Sequence, residues 1–159
     1  MKTASRRPGS LGTAWTGPLY LDASALVKIY LPEPGSDELD AALTGRTDLM
    51  ISDLGITEII SALARRRRDG NLRNEVASRL HGRILDDVEG GLYEVIPLVP
   101  STHREAERLL LALEEKPLRA GDALHLAMTI SAGARSLITF DQRLAEAARR
   151  IGIYAAVSS

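Results

Sequence analysis

Short apolar runs alternate along this chain with longer segments of helical period, and the alternation is regular from Pro18 onward. Leu19, Tyr20 and Leu21 predict a strand, and Asp22 opens a helical stretch, Ala-Ser-Ala-Leu-Val-Lys-Ile-Tyr-Leu, that Pro32 stops. A second helix is predicted from about Ser36 to Leu43. Leu49 to Ser52 then reads as a strand and about Asp53 to Arg68 as a helix, broken by Gly70 and Asn71. Leu72 to Val88 is periodic and charged, another helix. Leu92 to Val99 alternates as a strand, in which Pro97 marks a sheet edge or an early end. Ser101, Thr102 and Glu105 start a helix to Glu115, with Ala106, Leu109, Leu110 and Leu113 on its buried stripe and Lys116 and Pro117 closing it. An apolar helix from Gly121 to Ala132, a buried strand from Ser136 to Phe140, a helix from Asp141 to Arg150 and a strand from Ile153 to Val157 complete the series. Such alternation implies an α/β domain with a parallel, helix-covered sheet.

Four acidic residues stand out against this pattern: Asp22, Glu58, Asp122 and Asp141. Three of them fall at strand ends or helix starts, the rim where open α/β sheets bind ligands. Helix capping offers a second account. Asp22 and Asp141 follow strands and precede helices, where an aspartate N-cap contributes about 1 kcal/mol, and Asp122 in a first turn is favoured by the helix dipole. Glu58 is less easily explained so. The stripe Ile56, Ile59, Ile60 and Leu63 faces the core, small neighbours Gly55, Ser61 and Ala62 leave room around Glu58, and its side chain leans back toward the strand end. Asp53 competes for the same place but reads as an N-cap with its carboxylate occupied. Carboxylates gathered on one rim resist ionising together unless a cation compensates. The donors are all oxygen, with no cysteine and three scattered histidines, which suits Mg²⁺ or Mn²⁺. His125, one turn past Asp122 among Leu124, Leu126 and Ala127, reads as a packed, hydrogen-bonded histidine.

Composition narrows the setting. A chain of 159 residues that is 45% hydrophobic supports one domain. The absence of cysteine excludes disulfides, thiolate metal sites and cysteine nucleophiles and fits a reducing cytoplasm. No apolar run approaches the roughly 20 residues of a membrane helix, so no membrane partner is expected. Residues 1–17 hold Lys2, Arg6 and Arg7 with no acid and are expected to form a disordered leader. The remaining chain carries 17 basic and 21 acidic side chains, a net of −4. That balance excludes a general nucleic-acid coat, yet Arg65, Arg66, Arg67 and Arg68 form a dense basic run, read either as a solvated helix end or as a local partner-binding patch.

The segments Leu-Tyr-Leu-Asp22-Ala-Ser-Ala-Leu-Val-Lys, Ile-Thr-Glu58-Ile, Ala-Gly-Asp122-Ala-Leu-His-Leu-Ala and Leu-Ile-Thr-Phe-Asp141-Gln-Arg-Leu resemble PIN-domain proteins, above all VapC-type toxins. The likeness runs from about Leu19 to Ile153. It implies a three-layer α/β fold over residues 18–157, with a mainly parallel sheet between helices, and a metal-dependent endoribonuclease held inactive by a cognate antitoxin. By position, Asp22, Asp122 and Asp141 would bind Mg²⁺ or Mn²⁺. Glu58 would bind a water or a second ion and orient the nucleophile, and Ser24 and Thr139 would support this shell by hydrogen bonds. Arg119 and the run Arg65 to Arg68 are the candidates to hold RNA or the antitoxin, and a homodimer is the expected assembly. Phe140 stands where relatives often carry a polar residue.

Other classes fit less well. An aspartate-nucleophile phosphatase needs a second aspartate two residues after the first, where this chain has Ser24, and a receiver domain needs paired acids at the first strand. The remaining alternative is a catalytically idle α/β module in which the four acids are caps and the domain only binds a protein partner.

Overall fold

The computed structural model describes residues 15–114 and 118–156. In chain order the elements are β1 (Leu19–Leu21), α1 (Ala23–Tyr30), α2 (Ser36–Leu43), β2 (Leu49–Ser52), α3 (Asp53–Arg68), α4 (Asn74–Glu89), β3 (Glu94–Ile96), α5 (Pro100–Ala112), α6 (Ala120–Ser131), β4 (Ser136–Ile138), α7 (Gln142–Arg150) and β5 (Tyr154–Ala156). The strands lie in the order β3-β2-β1-β4-β5, and every pairing among them is parallel. From β1 the chain winds outward to β2 and β3, then returns to β4 on the other side of β1. The winding therefore reverses between β1 and β4, the position at which open α/β sheets leave a crevice at the strand carboxyl ends.

Strand alternation builds two cores. Leu19 and Leu21 point into one with Ile51 of β2 and with Leu26, Leu39, Ile59 and Ile84 of α1 to α4. Tyr20 between them points into the other, with Met50 and Leu137 and with Leu109, Leu126 and Leu144 of α5, α6 and α7. The sheet is thus the middle layer of a three-layer α/β fold.

Several boundaries differ from the sequence reading, each for a local reason. The segment from Leu92 to Val99 keeps only Glu94–Ile96 as strand, because Pro97 has no N–H and the N–H of Leu98 is taken by the Asp53 carboxylate at 3.0 Å. Asp53 is therefore not the N-cap of α3. Ser52 is, its Oγ accepting from Gly55 N at 2.9 Å. The Asp53 carboxylate is occupied, but by the edge strand's exit. β4 ends at Ile138 rather than Phe140, since Thr139 and Phe140 turn their polar groups toward α1. α5 starts one residue before Ser101, with Pro100 in its first turn, and ends at Ala112. Lys116 and Pro117 lie outside the described residues.

The packed domain also reaches back before Pro18. Trp15 is 7% exposed within the first core, and the carbonyl of Thr16 accepts from Ser136 Oγ at 2.7 Å. Residues 1–14, most of the expected leader, and Val157 lie outside the described residues. Among the described residues no helix is long and apolar enough to cross a membrane.

Candidate active site

All four acids singled out from sequence line one cleft of about 400 Å³, together with Ser24, Arg65, Arg119 and His125. They arrive from four different elements at the carboxyl ends of the parallel strands. Asp22 and Asp141 follow β1 and β4 across the winding reversal, Glu58 projects from α3, and Asp122 from the first turn of α6.

Asp22 is the most enclosed of the four, at 4% exposure. Its Oδ1 accepts from Ala25 N at 2.9 Å, capping α1, and from Ser24 Oγ at 2.6 Å. Its Oδ2 accepts from Thr139 Oγ1 at 2.6 Å. Burial pushes the carboxyl above its ordinary range, and the Ser24 and Thr139 hydroxyls, which stabilise the charged form, offset part of that rise. Both hydroxyls are themselves pinned. Ser24 Oγ accepts from Phe140 N at 2.7 Å and Thr139 Oγ1 from Asp141 N at 3.0 Å.

Asp141 caps α7 through Oδ1, which accepts from Arg143 N at 2.8 Å and Leu144 N at 3.2 Å. Asp122 Oδ2 accepts from Arg119 N at 3.1 Å, tying the start of α6. The capping roles and the shared cleft therefore coexist. One oxygen of each of these two carboxylates serves its helix, while Asp141 Oδ2 and Asp122 Oδ1 accept no hydrogen bond among the described residues. Glu58 is half-buried; its Oε2 lies 2.6 Å from His125 Nε2 and its Oε1 is likewise unclaimed.

Among the described residues, three carboxylate oxygens that accept nothing thus stand around a buried carboxylate ringed by neutral donors, and oxygen donors of this kind match a hard cation's preference. Among the described residues no three acidic or histidine side chains stand close enough to enclose an ion unaided. That arrangement does not fit a closed zinc site. It fits Mg²⁺, which keeps several waters and is held by one or two carboxylates plus substrate phosphates.

The arginine run divides by helical spacing, because successive residues on a helix point about 100° apart. Arg65 lines the acidic cleft. Arg66 pairs with Glu33, which also meets Lys28 at 3.7 Å, so it braces the loop between α1 and α2. Arg67 lines a groove between α3 and α4 with Leu63 and His81. Arg68 is exposed at the helix end. Lys28 also stands 4.6 Å from the Phe140 ring centroid, which gives that apolar residue beside Asp141 a cation–π partner.

His125 is packed and hydrogen-bonded, with both ring nitrogens engaged, but its partner Glu58 could not be foreseen from sequence. Nor could Tyr20 or Ser52, which complete the contact from strand interiors. The sole local signal was spacing, since His125 lies three residues after Asp122 and shares its helix face.

A family model described as PIN domain matches residues 19–150. Ribonuclease VapC47 of Mycobacterium tuberculosis is 31% identical over 144 residues, which cover 87% of this chain and 95% of the relative. Ribonuclease VapC3 of Pyrobaculum aerophilum is 31% identical over 132 residues, 80% of this chain and 92% of the relative. Among solved structures, VapBC2 from Rickettsia felis, bound to a DNA fragment from its promoter, superposes with a TM-score of 0.61 at 15% identity, covering 89% of this chain and 98% of that one.

Proposed function

Because this chain belongs to the PIN-domain family and is similar to its VapC-type members, we propose that it is a metal-dependent endoribonuclease and the toxin of a toxin–antitoxin pair. The observation that carries the reading is the convergence of Asp22, Glu58, Asp122 and Asp141, from four elements, on one cleft that also holds Arg65 and Arg119. The names of the two ribonuclease relatives support the substrate class.

Asp22, Asp122 and Asp141 would hold Mg²⁺ or Mn²⁺. Bound there, the ion supplies charge neutralisation at the phosphate and a lowered pKa for attacking water. The chain's own residues do the positioning. Ser24 and Thr139 favour the charged form of Asp22 by donating to it, offsetting part of the desolvation that favours its neutral form. The two N-caps fix Asp22 and Asp141 to rigid helix starts. Glu58 Oε1 orients the water, and Arg65 and Arg119 hold the flanking phosphates, which bare carboxylates would repel. In the net reaction the water oxygen bonds to phosphorus, the bond to the departing ribose oxygen breaks, and that oxygen leaves with a proton from the water.

The antitoxin is assigned to the groove between α3 and α4. Its apolar Leu63 floor beside Arg67 and His81 suits a protein segment better than RNA. A homodimer and a cytoplasmic location belong to the same reading, and Leu111 and Ile130, apolar and exposed on α5 and α6, are available for a subunit contact. The test is cleavage of a labelled total RNA pool by the purified protein with Mg²⁺, with Mn²⁺ and with chelator. Cleavage is expected with either ion and none with chelator, and cleavage indifferent to chelator would refute the metal-dependent reading.

A further inference from the structure

Glu58 is the one acid of the cleft carried in mid-helix, and at 37% side-chain exposure it has room to sample several rotamers. A closed path of hydrogen bonds prevents this. His125 Nε2 lies 2.6 Å from Glu58 Oε2, and His125 Nδ1 lies 2.8 Å from the Tyr20 hydroxyl. Tyr20 donates to Ser52 Oγ at 2.8 Å, and Ser52 Oγ accepts from Gly55 N at 2.9 Å in the first turn of α3, the helix that carries Glu58. The path leaves α3, crosses α6, β1 and the end of β2, and returns to α3.

Two glycines leave space for the arrangement. A Cβ on Gly55 would stand 3.3 Å from Ser52 Oγ and 3.7 Å from His125 Cε1, and one on Gly121 would stand 3.3 Å from Glu58 Oε1. Packing alone does not call for an imidazole at position 125, whose neighbours in the second core, Ala123, Leu126 and Ala127, are apolar. A buried polar side chain is retained there because both its nitrogens have partners.

We propose that His125 is a positioning residue: anchored by Tyr20 and Ser52, it takes Glu58 Oε2 and fixes Oε1 toward the cleft, where it orients the attacking water. The proposal rests on the nuclease reading above. Glu58 then offers the cleft one oxygen rather than two, which restricts it to orienting a single water and excludes bidentate binding of an ion.

The experiment compares His125→Leu, His125→Gln and Gly121→Ala with wild type in steady-state RNA cleavage, with melting temperatures recorded beside them. Loss of an outer partner that orients a side chain of a metal site typically costs about 10- to 100-fold in metal affinity or activity. His125→Leu is expected to lower kcat within that range with KM unchanged, and His125→Gln, whose amide reaches the same place, to recover part of it. Gly121→Ala improves helix propensity, so it is expected to keep or raise the melting temperature while lowering kcat by displacing Oε1. In a Glu58→Ala background, His125→Leu is expected to have no further effect on cleavage. A readout independent of turnover is the side-chain ¹⁵N spectrum of His125 in metal-free protein, where Glu58→Gln and Tyr20→Phe should each move the ring resonances. Wild type that cleaves, with kcat unaltered in His125→Leu and Gly121→Ala, would overturn this proposal alone. Wild type that cleaves under no condition would overturn the nuclease reading and this proposal with it.

Discussion

Thr139 Oγ1 donates to Asp22 Oδ2 across 2.6 Å, joining the carboxyl ends of the adjacent parallel strands β1 and β4. The same oxygen accepts from Asp141 N at 3.0 Å, so one hydroxyl ties the Asp22 carboxylate to the backbone of Asp141. Hydrogen bonds to a charged group are worth about 1.5–3 kcal/mol. Thr139→Val preserves shape and removes both contacts, and urea denaturation at neutral pH should register a loss in that range, with Thr139→Ser restoring most of it. A loss under about 0.5 kcal/mol, the size of an ordinary surface change, would show that the hydroxyl is not holding Asp22.

The buried Asp22 makes a signed prediction about pH. Its folded-state pKa lies above the ordinary 3.8 because of desolvation. The folded protein therefore binds more protons than the unfolded chain in that window, and the group's contribution to stability falls as pH rises from 3.8 through the raised value. Asp22→Asn abolishes the titration. Without metal, the melting temperature of Asp22→Asn minus that of wild type should rise with pH across the window and level off above it. Mn²⁺ at neutral pH should then stabilise wild type and leave the variant unmoved. A difference independent of pH, or equal stabilisation of both by Mn²⁺, would contradict the assignment of Asp22.

Arginine spacing on α3 separates three roles that a run of identical residues conceals. Each phosphate contact to single-stranded nucleic acid contributes about 0.7 to the slope of log affinity against log salt. Arg65→Gln should weaken RNA binding and reduce that slope by about this amount. Arg66→Gln should leave both unchanged while costing under about 1 kcal/mol of stability, because it breaks a surface pair with Glu33. Equal salt slopes for wild type and Arg65→Gln would remove Arg65 from the RNA path.

How much of this was legible in the chain depended on how local each signal is. Ser36–Leu43 and Asp53–Arg68 match their sequence ranges because apolar periodicity and breakers lie within the element itself. The strand around Glu94–Ile96 was overestimated because its length is set by Asp53, a residue far away in sequence that captures Leu98 N. The four acids could be proposed from their positions at strand ends, and the fold does bring them to one cleft. The path from Glu58 through His125 and Tyr20 to Ser52 could not be, because Tyr20 and Ser52 look like ordinary strand residues until β1 and β2 pair beneath α6. Trp15, within the expected leader, is buried for a similar reason: a lone tryptophan among small residues carries no periodicity, and its burial follows from the shape of a core built elsewhere.

The most direct test of the central claim is metal-dependent RNA cleavage by Asp122→Asn beside wild type. The carboxamide oxygen introduced by this substitution can still accept from Arg119 N, so the start of α6 and the melting temperature should be retained. The account predicts that wild type cleaves with Mg²⁺ or Mn²⁺ and not with chelator, and that the variant loses this cleavage while folding normally. A variant that cleaves like wild type would contradict the carboxylate site. No cleavage or Mn²⁺ binding by either protein would leave Asp22, Asp122 and Asp141 as groups that serve helix starts, Glu58 as the partner of His125, and the domain as a module that only binds its partner.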